Sequence, residues 1–204
     1  MAIEFEYPPG STPLDPDEAA GLIPGHIATQ GQLNEWEMAN ILRGEAWAFS
    51  RKHDDMLSPK FIRFLHKKLF EDTWEWAGKY RTTAKSIGID AAQIGLELSK
   101  LCKDVECQLK YRSYPPDELA ARFHHRLTWI HPFPNGNGRF SRTMADLLMV
   151  QNEEPRFSWG ASDIISKGNV RTKYIAALKA ADVKDYGPLL EFLRSGHRPI
   201  GGAG

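Results

Sequence analysis

Residues 131–139 read HPFPNGNGR, and this stretch dictates where the helices on either side of it end and begin. Pro132 disfavours the right-handed helical conformation at the residue before it, so a helix arriving from upstream should stop at His131. A histidine placed there meets the partial negative charge of a helix C-terminus, which favours imidazolium and so assists a base that must take up a proton. Phe133, apolar between two prolines, is expected to anchor the turn in a core. Gly136-Asn137-Gly138 lets successive backbone N–H groups converge without Cβ obstruction, as in an anion-binding nest. RFSRTMADLLMV, 139–150, then reads as a helix whose N-terminus faces that nest, with Arg139 and Arg142 on one face of its first turns. A base and a phosphate cradle thus fall within one loop.

Outward from the loop the punctuation is helical. Pro115-Pro116-Asp117 opens a helix whose Leu119, Phe123, Leu127 and Ile130 form one apolar stripe, and another helix precedes it from about residue 93. Between them and the N-terminal half lies KYRTTAKSIGID, 79–90, with β-branched residues and no helical period, which predicts a short hairpin or extended flap. Ser58-Pro59 is an N-cap followed by N1, ahead of FIRFLHKKLFEDTWEWA, in which Phe61, Leu65 and Leu69 repeat and Gly78 closes the helix. Thr29 and Gln32 have the form of a capping box before LNEWEMANILRGEAWAF, where Leu33, Trp36 and Asn40 make the expected buried stripe. The tryptophans at 36, 47, 74, 76 and 129 are assigned to the core. The fold class is therefore all-α, a helix bundle with one short β-hairpin flap. Its parts are a Pro/Gly-rich arm without regular structure over 1–28, one domain over 29–195 and a flexible tail over 196–204.

Composition narrows the function. Of 204 residues 42% are hydrophobic and 25% charged, which suits a globular core and excludes a disordered chain. Lys plus Arg and Asp plus Glu both number 26, without a basic run, so neither direct nucleic-acid binding nor an anionic membrane surface is expected. Cys102 and Cys107, five residues apart on a helix, are ~7–8 Å apart along its axis, beyond disulfide reach. Free thiols, no charged segment followed by an apolar one at the N-terminus and no long apolar run give a cytoplasmic expectation. His124 and His125 face different ways on their helix and lack the partners of a zinc site. A nuclease of the HNH kind would need a further histidine shortly after Asn137, and the next is His197.

HPFPNGNGRFSR, 131–142, resembles the signature of the Fic (Fido) family, HxFx[D/E]GNGRxxR, at every fixed position but one. WEWAGKYRTT resembles the family's entry into its flap, and PPDELAARFHHRLTWI resembles the helix before the signature. With YIAALKAADVKDYGPLLEFL, the resemblance covers roughly residues 30 to 195, and the whole chain is most similar to a short bacterial subgroup called mobile mystery protein B. The resemblance implies a helical fold that transfers the AMP part of ATP, or another phosphate-containing group, to a Ser, Thr or Tyr hydroxyl of a protein, with Mg²⁺ accompanying the nucleotide. His131 would be the general base; Asn135, Gly136, Asn137, Gly138 and Arg139 would bind the phosphates; Arg139 and Arg142 would stabilise the charge developing in transfer. A flap at Lys85, Ser86, Ile87 and Gly88 would hold the target as an added strand.

The exception is Asn135, where the family has Asp or Glu. An amide oxygen brings no charge, and a unit charge at ~4 Å is worth about 4 kcal/mol at an effective dielectric of ~20. Asn135 is thus a weak metal ligand acting through a Mg-nucleotide, and the alternative is a catalytically silent nucleotide-binding domain in a toxin–antitoxin-like pair. Arg142 has a structural alternative too, pairing with Asp146 one turn on. In many Fic proteins a helix glutamate pairs with the second signature arginine, here Arg142, and inhibits transfer. The N-terminal helix lacks the corresponding motif, and Glu35 and Glu37 read as a solvated face. Inhibition is then expected from a separate small antitoxin-like or helix-turn-helix protein.

Overall fold

The structure, a computed structural model, describes residues 13–161 and 168–196. The first twelve residues of the expected arm and nearly all of the expected tail lie outside them. The described residues form eight α-helices: α1 (Pro16–Ala19), α2 (Gln30–Phe49), α3 (Pro59–Phe70), α4 (Ile94–Tyr111), α5 (Pro116–Ile130), α6 (Asn137–Gln151), α7 (Gly168–Asp182) and α8 (Gly187–Arg194). α2 packs on α3 and α5 on α6, while α4 bridges α3 and α5 and α8 joins α7 to α5. α6 runs through the middle, with Phe140, Met144, Ala145, Leu147 and Leu148 all buried. A helix apolar on most sides is one surrounded by others, and each large side chain withdrawn from water contributes roughly 1.5–3 kcal/mol.

Local signals set the helix starts. Thr29 Oγ1 accepts from the Gln32 N–H while the Gln32 side chain accepts from the Thr29 N–H, and Ser58 Oγ accepts from the Phe61 N–H ahead of Pro59. α3, however, stops at Phe70 rather than running to Gly78. Asn40 of α2 explains this: its Oδ1 takes the Asp72 N–H and the Thr73 hydroxyl, drawing the chain off the helix into turns. Those turns bring the Trp74 and Trp76 rings together at 5.0 Å.

The buried stripe of α2 is Leu33, Glu37, Asn40, Ile41, Gly44 and Ala48, which keeps the expected Leu33 and Asn40 but has Glu37 in place of Trp36. Two tryptophans assigned to the core are in fact half-exposed: Trp36 is 37% exposed, its indole donating to the Asp72 carbonyl, and Trp129 on α5 is 41% exposed beneath the Arg126 guanidinium. Within the expected irregular arm, Pro16–Ala19 forms one helical turn closed by an Asp15/Glu18 capping box.

Residues 79–90 form neither a helix nor the expected hairpin but an irregular segment with bends at 83 and 86–88, and the one β-bridge among the described residues joins Leu22 to Trp74. The backbone bonds of this segment go to the signature loop instead, from the Arg81 N–H to the Pro132 carbonyl and from the Ile89 N–H to the Ile130 carbonyl. Cys102 is buried, Cys107 is exposed, and both are free thiols. No helix among the described residues is long and apolar enough to cross a membrane.

Candidate active site

α5 ends at Ile130, and His131 adopts the left-handed conformation, φ 52° and ψ 61°. Pro132 bars continuation of the right-handed helix, and histidine enters the left-handed region more readily than most residues, at a strain of order 1–3 kcal/mol. The strain is held by Arg81. Its buried guanidinium donates to the carbonyls of His131 at 2.7 Å, Thr83 at 2.8 Å and Ile130 at 3.5 Å, and also to that of Ile89. A cation thereby occupies the carbonyl end of α5.

That placement reverses the electrostatic expectation for His131. Burial pushes its imidazole down to about 4; the Thr128 backbone opposes the shift, and the charges of Arg81 and Lys85 add to it. The dipole's negative end is spent on Arg81, and the imidazole is neutral at physiological pH, the state that can accept a proton.

The loop after His131 is fixed from beneath. Phe133 is fully buried, stacked on His66 at 3.7 Å and edge-on to Phe140 at 5.2 Å. His66 Nδ1 accepts from the Gly78 N–H at 3.0 Å, so its Nε2 carries the proton donated to the Asn135 carbonyl at 3.1 Å. Burial pushes this ring down to about 3, in keeping with a neutral strut. Gly136 has φ 75°, and a Cβ there would lie 2.5 Å from the Phe70 ring, so only glycine fits the turn into α6.

The cradle differs in detail from the expected one. Asn137 locks the loop, its Oδ1 accepting from the Phe133 N–H at 2.9 Å and its Nδ2 donating to the Phe133 carbonyl at 2.8 Å. Its side chain is therefore committed, leaving its backbone as the part able to meet an anion. Asn135 Oδ1 accepts from the Gly136 N–H at 2.6 Å, which occupies one donor of the expected nest. No side chain caps α6, so the N–H groups of its first turn, at Asn137, Gly138 and Arg139, suit an external anion. A protein-held magnesium ion does not fit these donors: the loop offers one neutral amide oxygen already engaged with Gly136, and the described residues contain no cluster of three or more His, Cys, Asp or Glu.

The two signature arginines part company. Arg142 packs over Tyr174 at 6.0 Å and hydrogen-bonds to it, while Asp146, its expected alternative partner, instead holds Arg156, the Phe157 N–H and the Trp159 indole. Arg139 donates from Nη1 to Glu37 Oε2 at 2.7 Å. Glu37 is thus buried and paired rather than solvated, whereas Glu35 is exposed. α7 adds Arg171, whose charge interacts with Tyr174 and Arg139. Sequence reasoning passed over His66, Arg81 and Arg171 and misread Glu37 as solvated; the signal for Glu37 was its spacing of four from Leu33 and three from Asn40 on the buried face.

The flap is also revised. The Lys85 side chain is only 3% exposed and bound to Asp15 at 2.9 Å and Glu18 at 2.5 Å, with Thr83 donating to Asp15 at 2.8 Å. Lys85 is therefore an anchor to α1 rather than a docking contact. Ser86, Ile87 and Gly88 are exposed, and at Gly88, φ 106°, a Cβ would lie 2.7 Å from His131 Cβ. The flap backbone thus lies directly against the histidine. His124 and His125 are committed elsewhere, to the Tyr174 hydroxyl and to Asp182, both at 2.9 Å.

Residues 56–149 match the model of the Fic/DOC family. Over those residues the chain is similar to a Fic/DOC domain. It is 26% identical over 147 residues to protein adenylyltransferase fic-1 of Caenorhabditis elegans, covering 71% of this chain and 28% of that protein. The chain therefore spans well under a third of that relative's length. The N-terminal Fic domain of a VirB-translocated Bep effector from Bartonella quintana, solved with bound ADP, shares the fold with a TM-score of 0.66 at 20% identity, over 83% of this chain and 86% of that one. BepC of Bartonella tribocorum, solved with bound AMPPNP, has a TM-score of 0.66 at 21% identity, over 87% and 95% respectively. The Fic fold accounts for the central α6 and for the loop leading into it.

Proposed function

We propose that this Fic domain transfers the AMP part of ATP to a Ser, Thr or Tyr hydroxyl of a protein, with His131 as general base. The observation that carries the reading is the imidazole of His131, neutral and in contact with an exposed flap, one loop away from an uncapped helix N-terminus and two arginines. The target hydroxyl oxygen attacks the α-phosphorus, its proton passes to His131, and the bond to the departing pyrophosphate breaks. General-base catalysis of this kind contributes roughly 10²–10⁴-fold. The backbone N–H groups of Asn137 and Gly138 hold phosphate oxygens, and Arg139 and Arg142 offset the charge that develops in transfer.

The flap backbone over Ser86–Gly88 presents an edge for a target strand, which accommodates varied sequences. Magnesium arrives with the nucleotide, and Asn135 contributes at most a neutral oxygen. The names of the adenylyltransferase relative and the nucleotides held by the two Bep domains support this reading. The resemblance over roughly residues 30 to 195 supports a bacterial source in the short subgroup, and the two free thiols support a cytoplasmic setting. A separate antitoxin-like partner is the proposed inhibitor, a reading supported by Arg142 packing against Tyr174, with no helix glutamate paired to it among the described residues.

Asn135 supports a second reading, a nucleotide-binding domain without catalysis. ATP labelled at the α- or γ-phosphate, incubated with the protein and a bacterial lysate, separates the two. AMP transfer requires α-label and no γ-label on protein. γ-label indicates phosphoryl transfer, and neither label with retained ATP binding establishes the silent domain.

A further inference from the structure

We infer that Glu37 is a positioning residue for the transfer, acting through Arg139; the inference rests on the nucleotide-transfer reading above. Glu37 stands on the buried stripe of α2, between Leu33 and Asn40, and both of its carboxylate oxygens are committed. Oε2 accepts from Arg139 Nη1 at 2.7 Å, and Oε1 accepts from the indole N–H of Trp74, also at 2.7 Å. Trp74 is itself 2% exposed and stacked on Trp76. The carboxylate is therefore held by the core, 102 residues away in sequence from the arginine it orients.

Arg139 is confined from a second side. Its guanidinium lies 5.0 Å from the Phe70 ring, the same ring on which Gly136 rests. Among the described residues only Nη1 has a hydrogen-bond partner, so Nε and Nη2 keep their donors for a ligand. The like charges of Arg142 and Arg171 act on Arg139 from α6 and α7. Without a fixed anion at Glu37, that repulsion and the entropy of a long side chain favour a guanidinium turned into solvent. With it, the arginine is preorganised where phosphate charge arrives. A carboxylate that merely competed with phosphate would need freedom to withdraw, and the bond to Trp74 denies Glu37 that freedom.

The test is a double-mutant cycle on the full chain, using wild type, Glu37→Gln, Arg139→Ala and the double variant. Affinity for AMPPNP is read by calorimetry and the ATP dependence of α-label transfer by kinetics. Glu37→Gln preserves shape and an acceptor for Trp74 while removing the charge, and is expected to raise the KM for ATP roughly tenfold with a smaller change in kcat. In the Arg139→Ala background the same substitution should change affinity less than about twofold. An equal loss with and without Arg139 would mean a general structural role and overturn the inference, as would a several-fold gain in transfer, which would make Glu37 a restraint on Arg139. If Glu37→Gln does not fold, Trp74→Phe, which releases one carboxylate oxygen, takes its place in the cycle. A wild-type protein that neither binds AMPPNP nor transfers label removes the transferase reading and this inference with it. An active wild type with an uncoupled cycle removes this inference alone.

Discussion

Asn135 is where one side chain separates two chemistries. Its carbonyl is held by His66 and its amide oxygen by the Gly136 N–H, so the loop is well formed and only the ligand charge departs from the Fic signature. Asn135→Asp restores that charge without changing size. We expect stronger magnesium dependence and a rise in α-label transfer of roughly tenfold or more, checked over a Mg²⁺ titration; unchanged transfer would mean that the domain uses another group or none. The helix end at His131, the glycine turn and the helix behind it were legible in HPFPNGNGR because neighbouring residues dictate them. The protonation preference of His131 was not, since it is set by burial and by Arg81, 50 residues away. Asn137 shows the same limit: its place in the signature suggested a ligand, and only the folded loop reveals that its side chain is bonded to Phe133.

At the scale of elements, the flap depends on α1. The sequence indicated correctly that 79–90 is not helical, and its lack of a helical period was sufficient for that, but the expected hairpin does not form. It did not reveal the partner, because backbone pairing with the α5–α6 loop and an ion pair between Lys85 and α1 are tertiary choices. The end of α3 was misjudged for a related reason, since the Asn40 side chain that draws the chain off after Phe70 belongs to another helix. Lys85→Met should release the flap from Asp15 and Glu18 at a cost between the ~1 kcal/mol of a surface pair and the ~3 kcal/mol of a buried one. Amide exchange over 82–89 should accelerate, and transfer to protein targets should fall several-fold while AMPPNP affinity is unchanged. A flap equally protected in the variant would show that the pair does not hold it.

Across the whole molecule, three buried histidines tie the fold to pH. Burial pushes His66 and His124 down to about 3 and His131 to about 4, whereas in the unfolded chain each titrates near ~6.5. Between those values the unfolded state binds protons that the native state refuses, so stability is full above ~6.5 and is lost as pH falls toward about 4, by roughly 4 kcal/mol per pH unit at most. Thermal melts should show Tm constant from pH 8 to 7 and dropping steeply between 6 and 4; a flat profile there would contradict the buried neutral assignments. The helical fold as a whole was legible, because apolar period and capping residues are written locally. The assembly of the site from α2, the flap, α6 and α7 was not, because those contacts join distant parts of the chain. The central claim is that His131 performs the proton transfer while the glycine turn and the arginines hold the nucleotide. It is tested most directly by comparing wild type with His131→Ala, measuring AMPPNP affinity by calorimetry and α-label transfer from ATP on the same preparations. The account predicts affinities within about threefold of each other and transfer reduced at least a hundredfold in the variant; a folded His131→Ala protein that still transfers AMP at a comparable rate, or that loses nucleotide binding in equal measure, would contradict it.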